Sequence, residues 1–163
     1  MTSYAADALA HSNPARSALI IYSFVRGFQE HDEGGPHLAL GFLPVPIALS
    51  HPLAATFQGT QVRTGLLRWL EREPWIRLEL AEHLREAKRI SRAGLVFALQ
   101  RSVLALDDSA HLSIHSAQLV REPRDPVGAV AAERAHTVAA RLGAWCAQMP
   151  DAAAVFAALE VAP

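Results

Sequence analysis

Eight histidines and one cysteine carry the widest chemical range in this 163-residue chain. His111 and His115 are four apart, a spacing that suits zinc when both sit on a helix. The residues around them alternate with period two, which puts them on a strand instead. No HExxH, no CxxC and no acidic ligand at matching spacing accompanies them. They read as surface histidines. Cys146 follows Trp145 in an apolar helical run, with no nearby base or cation to lower its pKa. It reads as a buried, inert thiol. A single cysteine also excludes a disulfide framework and a cysteine-based zinc site. The serines lack a GxSxG elbow. Gly34-Gly35 is followed by no Gly-Lys-Ser or Gly-Lys-Thr, so it is a turn and not a phosphate loop. Asp107-Asp108 is a hairpin turn, not a carboxylate pair for acid–base work. The chain is therefore expected to be non-catalytic, with no cofactor, no metal and no small-molecule substrate.

The composition agrees with a folded, single-domain protein. Hydrophobic residues make up 51% and charged residues 19%, too apolar and too lightly charged for disorder. The net charge of −1 lacks the basic surplus of a dedicated nucleic-acid binder. The first residues form no secretory signal. The longest apolar stretch, Leu38 to Leu49, is broken by Pro44 and Pro46 and falls short of the ~18 residues a membrane span needs. A cytoplasmic protein with no membrane partner is expected. Mean hydropathy is +0.14, slightly high for a monomer. Either the richness in Ala and Arg explains it (Lys88 is the only lysine), or a partner covers part of the surface.

The elements follow from local signals. Asn13-Pro14 caps and starts a central helix through Gln29. The apolar segment from His37 to Phe57 holds three prolines and is expected as short helical or extended pieces, inside or along an interface. Thr64 to Glu73 is a helix. Pro74 opens a second, through about Lys88, and Ser91 caps a third, through Arg101. Val103 to Leu106 and His111 to His115 form a hairpin around Asp107-Asp108-Ser109. Ser116 to Pro126 is a loop, Val127 to Met149 a long Ala-rich helix, and Asp151 caps a last one over Ala152 to Leu159. The fold class is mainly α (α+β), one helical domain over residues 1–163. Residues 13–62 give the N-terminal helix and Pro-containing segment, 64–115 a winged-helix-like helix-helix-helix-hairpin module, and 127–163 the C-terminal helices.

Charge is uneven along the chain. Residues 63–101 carry nine basic side chains against five acidic, whereas the flanking segments are net acidic. Arg85, Lys88, Arg89, Arg92 and Arg101 are the cations of interest, interleaved with Glu71, Glu73, Glu79, Glu82 and Glu86. A protein-facing or solvated role is favoured over direct DNA contact. Three cations at the N-terminus of the Ser91 helix would oppose its dipole, which points to an anionic partner.

The order of several short motifs resembles a known family. They are Asn13-Pro14-Ala15, Phe24-Val25-Arg26-Gly27-Phe28, Leu43-Pro44-Val45-Pro46-Ile47-Ala48-Leu49, and Thr64-Gly65-Leu66-Leu67-Arg68-Trp69-Leu70 followed by Pro74. Further on come Ser91-Arg92-Ala93-Gly94-Leu95 with Phe97-Ala98-Leu99, then Leu142-Gly143-Ala144-Trp145-Cys146-Ala147, and the ending Val155 to Pro163. Together they resemble the middle component of bacterial three-component ABC-ATPase conflict systems, relatives of the Lamassu-type anti-phage systems. Two departures stand out. Glu160 replaces the family's usual glycine, which would change the terminal turn, and Arg63-Thr64-Gly65 lacks its Thr-Ser pair.

The resemblance implies an adapter that connects an SMC-like ABC ATPase to an effector, often a nuclease, with DNA reached through the complex. It carries over no catalytic residues. The expected contact residues are Leu43, Pro44 and Pro46; Arg85, Lys88, Arg89 and Arg92; and Phe156 and Val161. The rival reading is a winged-helix transcriptional regulator that touches DNA through Arg89 and Arg92. A small metal-dependent enzyme is a remote third.

Overall fold

A computed structural model of the chain describes residues 13–115 and 126–162. Helix α1 (Pro14–Gln29) is the centre of the fold. The Asn13 side chain accepts a hydrogen bond from Ala15 N at 3.0 Å, and Pro14 fills the first position, as the sequence signal predicts. Residues from Ser17 to Phe28 are buried nearly all round the helix, with Arg26 left exposed, so other elements enclose most of it.

Residues 37–55 fold into short pieces: a 3-10 turn (Leu38–Phe42), α2 (Pro44–Leu49) and α3 (His51–Ala55). Each helix has a proline in its first turn, where the missing N–H costs nothing. The His37 ring accepts from Ala39 N and starts the 3-10 turn. Pro44 to Ala48 are all buried.

Helix α4 (Gly65–Arg72) follows a 3-10 turn at Val62–Thr64. Thr64 stands at the N-cap position but makes no capping hydrogen bond; its hydroxyl accepts from Gln61 N at 2.9 Å. The next element departs from expectation. Helix α5 runs unbroken from Ile76 to Gln100, 25 residues. The break expected between Lys88 and Ser91 is not there. Ser91 is 1% exposed, one turn before Gly94, whose missing Cβ admits α1: a Cβ there would stand 2.6 Å from Ser17 Cβ. Ser91 is thus a small side chain inside a helix, not a cap. Within residues 64–115 only two helices precede the hairpin, so the three-helix order of a winged-helix module is not built. Lys88, Arg89 and Arg92 lie mid-helix, and the dipole penalty expected of them does not arise.

The hairpin forms where period two predicts it. Strands β1 (Leu104–Leu106) and β2 (Leu112–Ile114) are antiparallel, with Leu104 opposite Ile114 and Leu106 opposite Leu112. Asp107 Oδ1 accepts from Ser109 N and His111 N and closes the turn. Leu38 N donates to Ala110 O and Leu112 N to Pro36 O, which ties the hairpin to the loop after α1.

Helix α6 (Pro126–Ala147) packs along α1. The loop expected before it falls, up to residue 125, outside the described residues. Helix α7 (Ala152–Leu159) is capped by Asp151, which accepts from Ala154 N at 2.8 Å. Trp69 and Trp145, both fully buried, meet Phe57 with ring centroids 4.9 and 5.0 Å away. Each indole N–H is satisfied, by Thr56 Oγ1 and by Gln61 O. The C-terminal helices therefore share one core with the N-terminal segments. No single helix among the described residues is long and apolar enough to cross a membrane.

Candidate docking groove

Five of the nine expected contact residues come together on one groove. Leu43, Arg85, Lys88, Phe156 and Val161 line a depression of about 400 Å³, with Phe42, Leu84 and Ala39 among their neighbours. Three separate parts of the chain build it: the 3-10 turn before α2, the middle of α5, and the tail leaving α7. The α5 residues reach it because Ala81, Leu84, Arg85 and Lys88 recur at helical spacing on one face. The tail is held there by Arg77, whose Nε donates to Ala158 O at 2.9 Å. The same guanidinium lies 3.6 Å from Glu160.

The lining is mainly apolar, with cations at one edge. Phe156 is 7% exposed and Leu43 fully buried, so each offers only an edge. Arg85 pairs with Glu82 within the helix. Lys88 is exposed and has no ion-pair partner among the described residues. Phe42 and Leu84 are not among the expected contact residues. The signal for Leu84 was present, since it lies four residues before Lys88 on the same helix face.

The other four expected residues lie elsewhere. Pro44 and Pro46 are buried in α2 and shape the core. Arg89 and Arg92 border a separate shallow depression with Pro14, Val96 and Phe97. There the Arg101 guanidinium sits 5.3 Å from the centroid of the Phe97 ring.

The residues with chemical potential are spread apart. Cys146 is 2% exposed, and burial pushes its thiol up to about 12, where it is neither nucleophile nor ready metal ligand. His111 packs edge-on to His37 and stands 3.8 Å from Asp107. Among the described residues no group of three or more His, Cys, Asp or Glu side chains is placed to hold a metal ion. One pair escaped the sequence reading: Ser23 Oγ lies 2.9 Å from His136 Nδ1, across 113 residues of chain. The Ser23 hydroxyl donates to Leu19 O at 3.0 Å. That leaves Ser23 Oγ to accept from the imidazole, the reverse of the transfer that would activate a serine. The pair ties α1 to α6.

Nothing among curated proteins or solved structures matches. Residues 6–163 match the family model of the ABC-three component (ABC-3C) system Middle Component 3. The match spans nearly the whole chain, and the chain belongs to the Middle Component 3 family of ABC-three component systems.

Proposed function

We propose that this chain is a non-catalytic adapter of a cytoplasmic bacterial antiviral complex. It joins an SMC-like ABC ATPase to an effector, a nuclease, and DNA is engaged through the complex. The observation that supports this most is the groove lined by Leu43, Arg85, Lys88, Phe156 and Val161. Its chemistry fits one kind of occupant: an apolar segment of a partner subunit that carries a carboxylate near one end. The apolar part fills the groove, and the carboxylate meets the unpaired Lys88 ammonium. An adapter transmits a signal between its partners only through contacts that differ between two partner states. A tail docked on α5 is well placed for that, since a partner seated in the groove touches both.

The test is co-expression with the ATPase and effector of the same system. Elution as one complex supports the adapter reading. Elution of the chain by itself, with both partners folded, overturns it.

A further inference from the structure

A second concavity shares no residue with the docking groove and has a different character. It is a cleft of about 540 Å³ lined by α6 residues Glu133, Arg134, Thr137 and Arg141, by His51 at the start of α3, and by the turn after α3. A smaller depression with Arg16 on its lining adjoins it and shares His51, Ala54 and Arg134. Three arginines and a histidine therefore line these two neighbouring depressions, with His51 and Arg134 common to both. Among the described residues that line it, Glu133 is the sole carboxylate. This is a basic site inside a net acidic part of the sequence: residues 102–163 carry seven acidic side chains against four basic.

The arginines are arranged to receive something. Arg134 and Arg141 are seven residues apart on α6, so they share a face two turns apart. Arg141 Nη1 donates to Thr60 Oγ1 at 3.1 Å and to Phe57 O at 3.4 Å. Those bonds fix the plane of its guanidinium. Its Nε and Nη2 make no hydrogen bond within the described residues, and neither does the Arg134 side chain. Glu133 forms no ion pair with either of them. A pre-set, half-buried guanidinium with free donors is the side chain best suited to a phosphate.

We infer that this cleft binds the phosphate chain of a free, nucleotide-sized ligand between Arg134 and Arg141. The volume lies within the usual range for small-molecule sites, roughly 300–1,000 Å³. A nucleic-acid strand is the poorer fit. The cations form one local cluster and do not extend along a track, and the surrounding segment would repel a polyanion.

Isothermal titration of the full chain with ATP, ADP, inorganic pyrophosphate and adenosine tests this at low salt. The two nucleotides and pyrophosphate bind and adenosine does not. Arg134→Ala, at an exposed position, weakens ATP binding about tenfold or more. Arg141→Lys, which keeps a donor for the turn, does the same. Arg89→Ala leaves binding unchanged, and unaltered melting curves show that all three variants fold. Three results overturn the inference: no heat with millimolar nucleotide or pyrophosphate, equal binding by the Arg134 variant, or binding of a single-stranded oligodeoxynucleotide with none of free ATP.

Discussion

Gly27 of α1 and Gly143 of α6 occupy reciprocal positions at one helix crossing. A Cβ at residue 27 would stand 2.0 Å from the Ala140 carbonyl oxygen, and one at residue 143 would stand 2.1 Å from that of Phe24. Both glycines belong to the motifs that carry the family resemblance. Their role is steric: the two helix backbones touch only where neither has a side chain. This contact presses α6 onto the central helix and brings Trp145 to the Phe57–Trp69 cluster.

Gly143→Ala forces backbone against backbone, and no side chain can move aside to relieve it. The expected loss of stability is about 3 kcal/mol, at the upper end for overpacking. Urea unfolding measures it. A change within ~0.5 kcal/mol, the scale of an ordinary surface substitution, would contradict the crossing described here.

Ser91→Ala separates two accounts of α5 by sign. As an N-cap, Ser91 would lose about 1 kcal/mol on replacement. As a mid-helix residue with a buried hydroxyl that finds no partner, it gains from the change, by up to roughly 1 kcal/mol. Thermal unfolding is expected to show a rise in Tm.

Glu160 adopts φ 56 and ψ 36, the left-handed conformation natural to glycine. A glycine, the residue that the resemblance leads one to expect at this position, would adopt that conformation freely, and the glutamate takes it up at a cost of about 1 kcal/mol. Its ion pair with Arg77 is two-thirds exposed on the glutamate side and returns little. Glu160→Gly is therefore expected to stabilise the chain by about 0.5 kcal/mol, read from the urea midpoint.

Cys146 makes alkaline stability depend on one thiol. Burial raises it from an ordinary value near 9 to about 12. The folded chain holds the proton that the unfolded chain releases. This contribution is complete below pH 9 and is lost as pH rises towards 12, at about 1.4 kcal/mol per pH unit. Cys146→Ala removes that dependence. The difference in unfolding free energy between wild type and variant, followed from pH 8 upward, is expected to narrow above pH 9. In the folded wild type the thiol should also resist alkylation at neutral pH.

What the sequence revealed depended on how local each signal was. Asn13-Pro14, the Asp107 turn and Asp151 act on backbone groups within four residues of themselves, and all three lie where they were expected. Ser91 looks like a cap because a serine just before an apolar helical run usually is one. What overrides it is the crossing with α1, whose partner Ser17 is 74 residues away in sequence. The docking groove was partly legible. Five of its residues are legible singly, but their assembly depends on α7 returning to α5, which no periodicity encodes. Pro44 and Pro46 read as contact residues because prolines in an apolar run suit a surface segment as well as a core. Burial in α2 decides for the core. The basic cleft went unnoticed because its arginines are spread over α1 and α6 in segments whose net charge is negative.

The most direct measurement of the central claim is assembly of the three-component complex with single-site variants of the groove. Val161→Asp puts a charge into its apolar lining, and Lys88→Glu reverses the one unpaired cation at its edge. Arg89→Glu makes the same reversal one residue away, outside the groove. With each variant co-expressed beside the ATPase and effector, size-exclusion chromatography should show the complex lost or weakened about tenfold for the first two and intact for the third. Intact assembly with both groove variants, or its loss only with Arg89→Glu, would contradict the account.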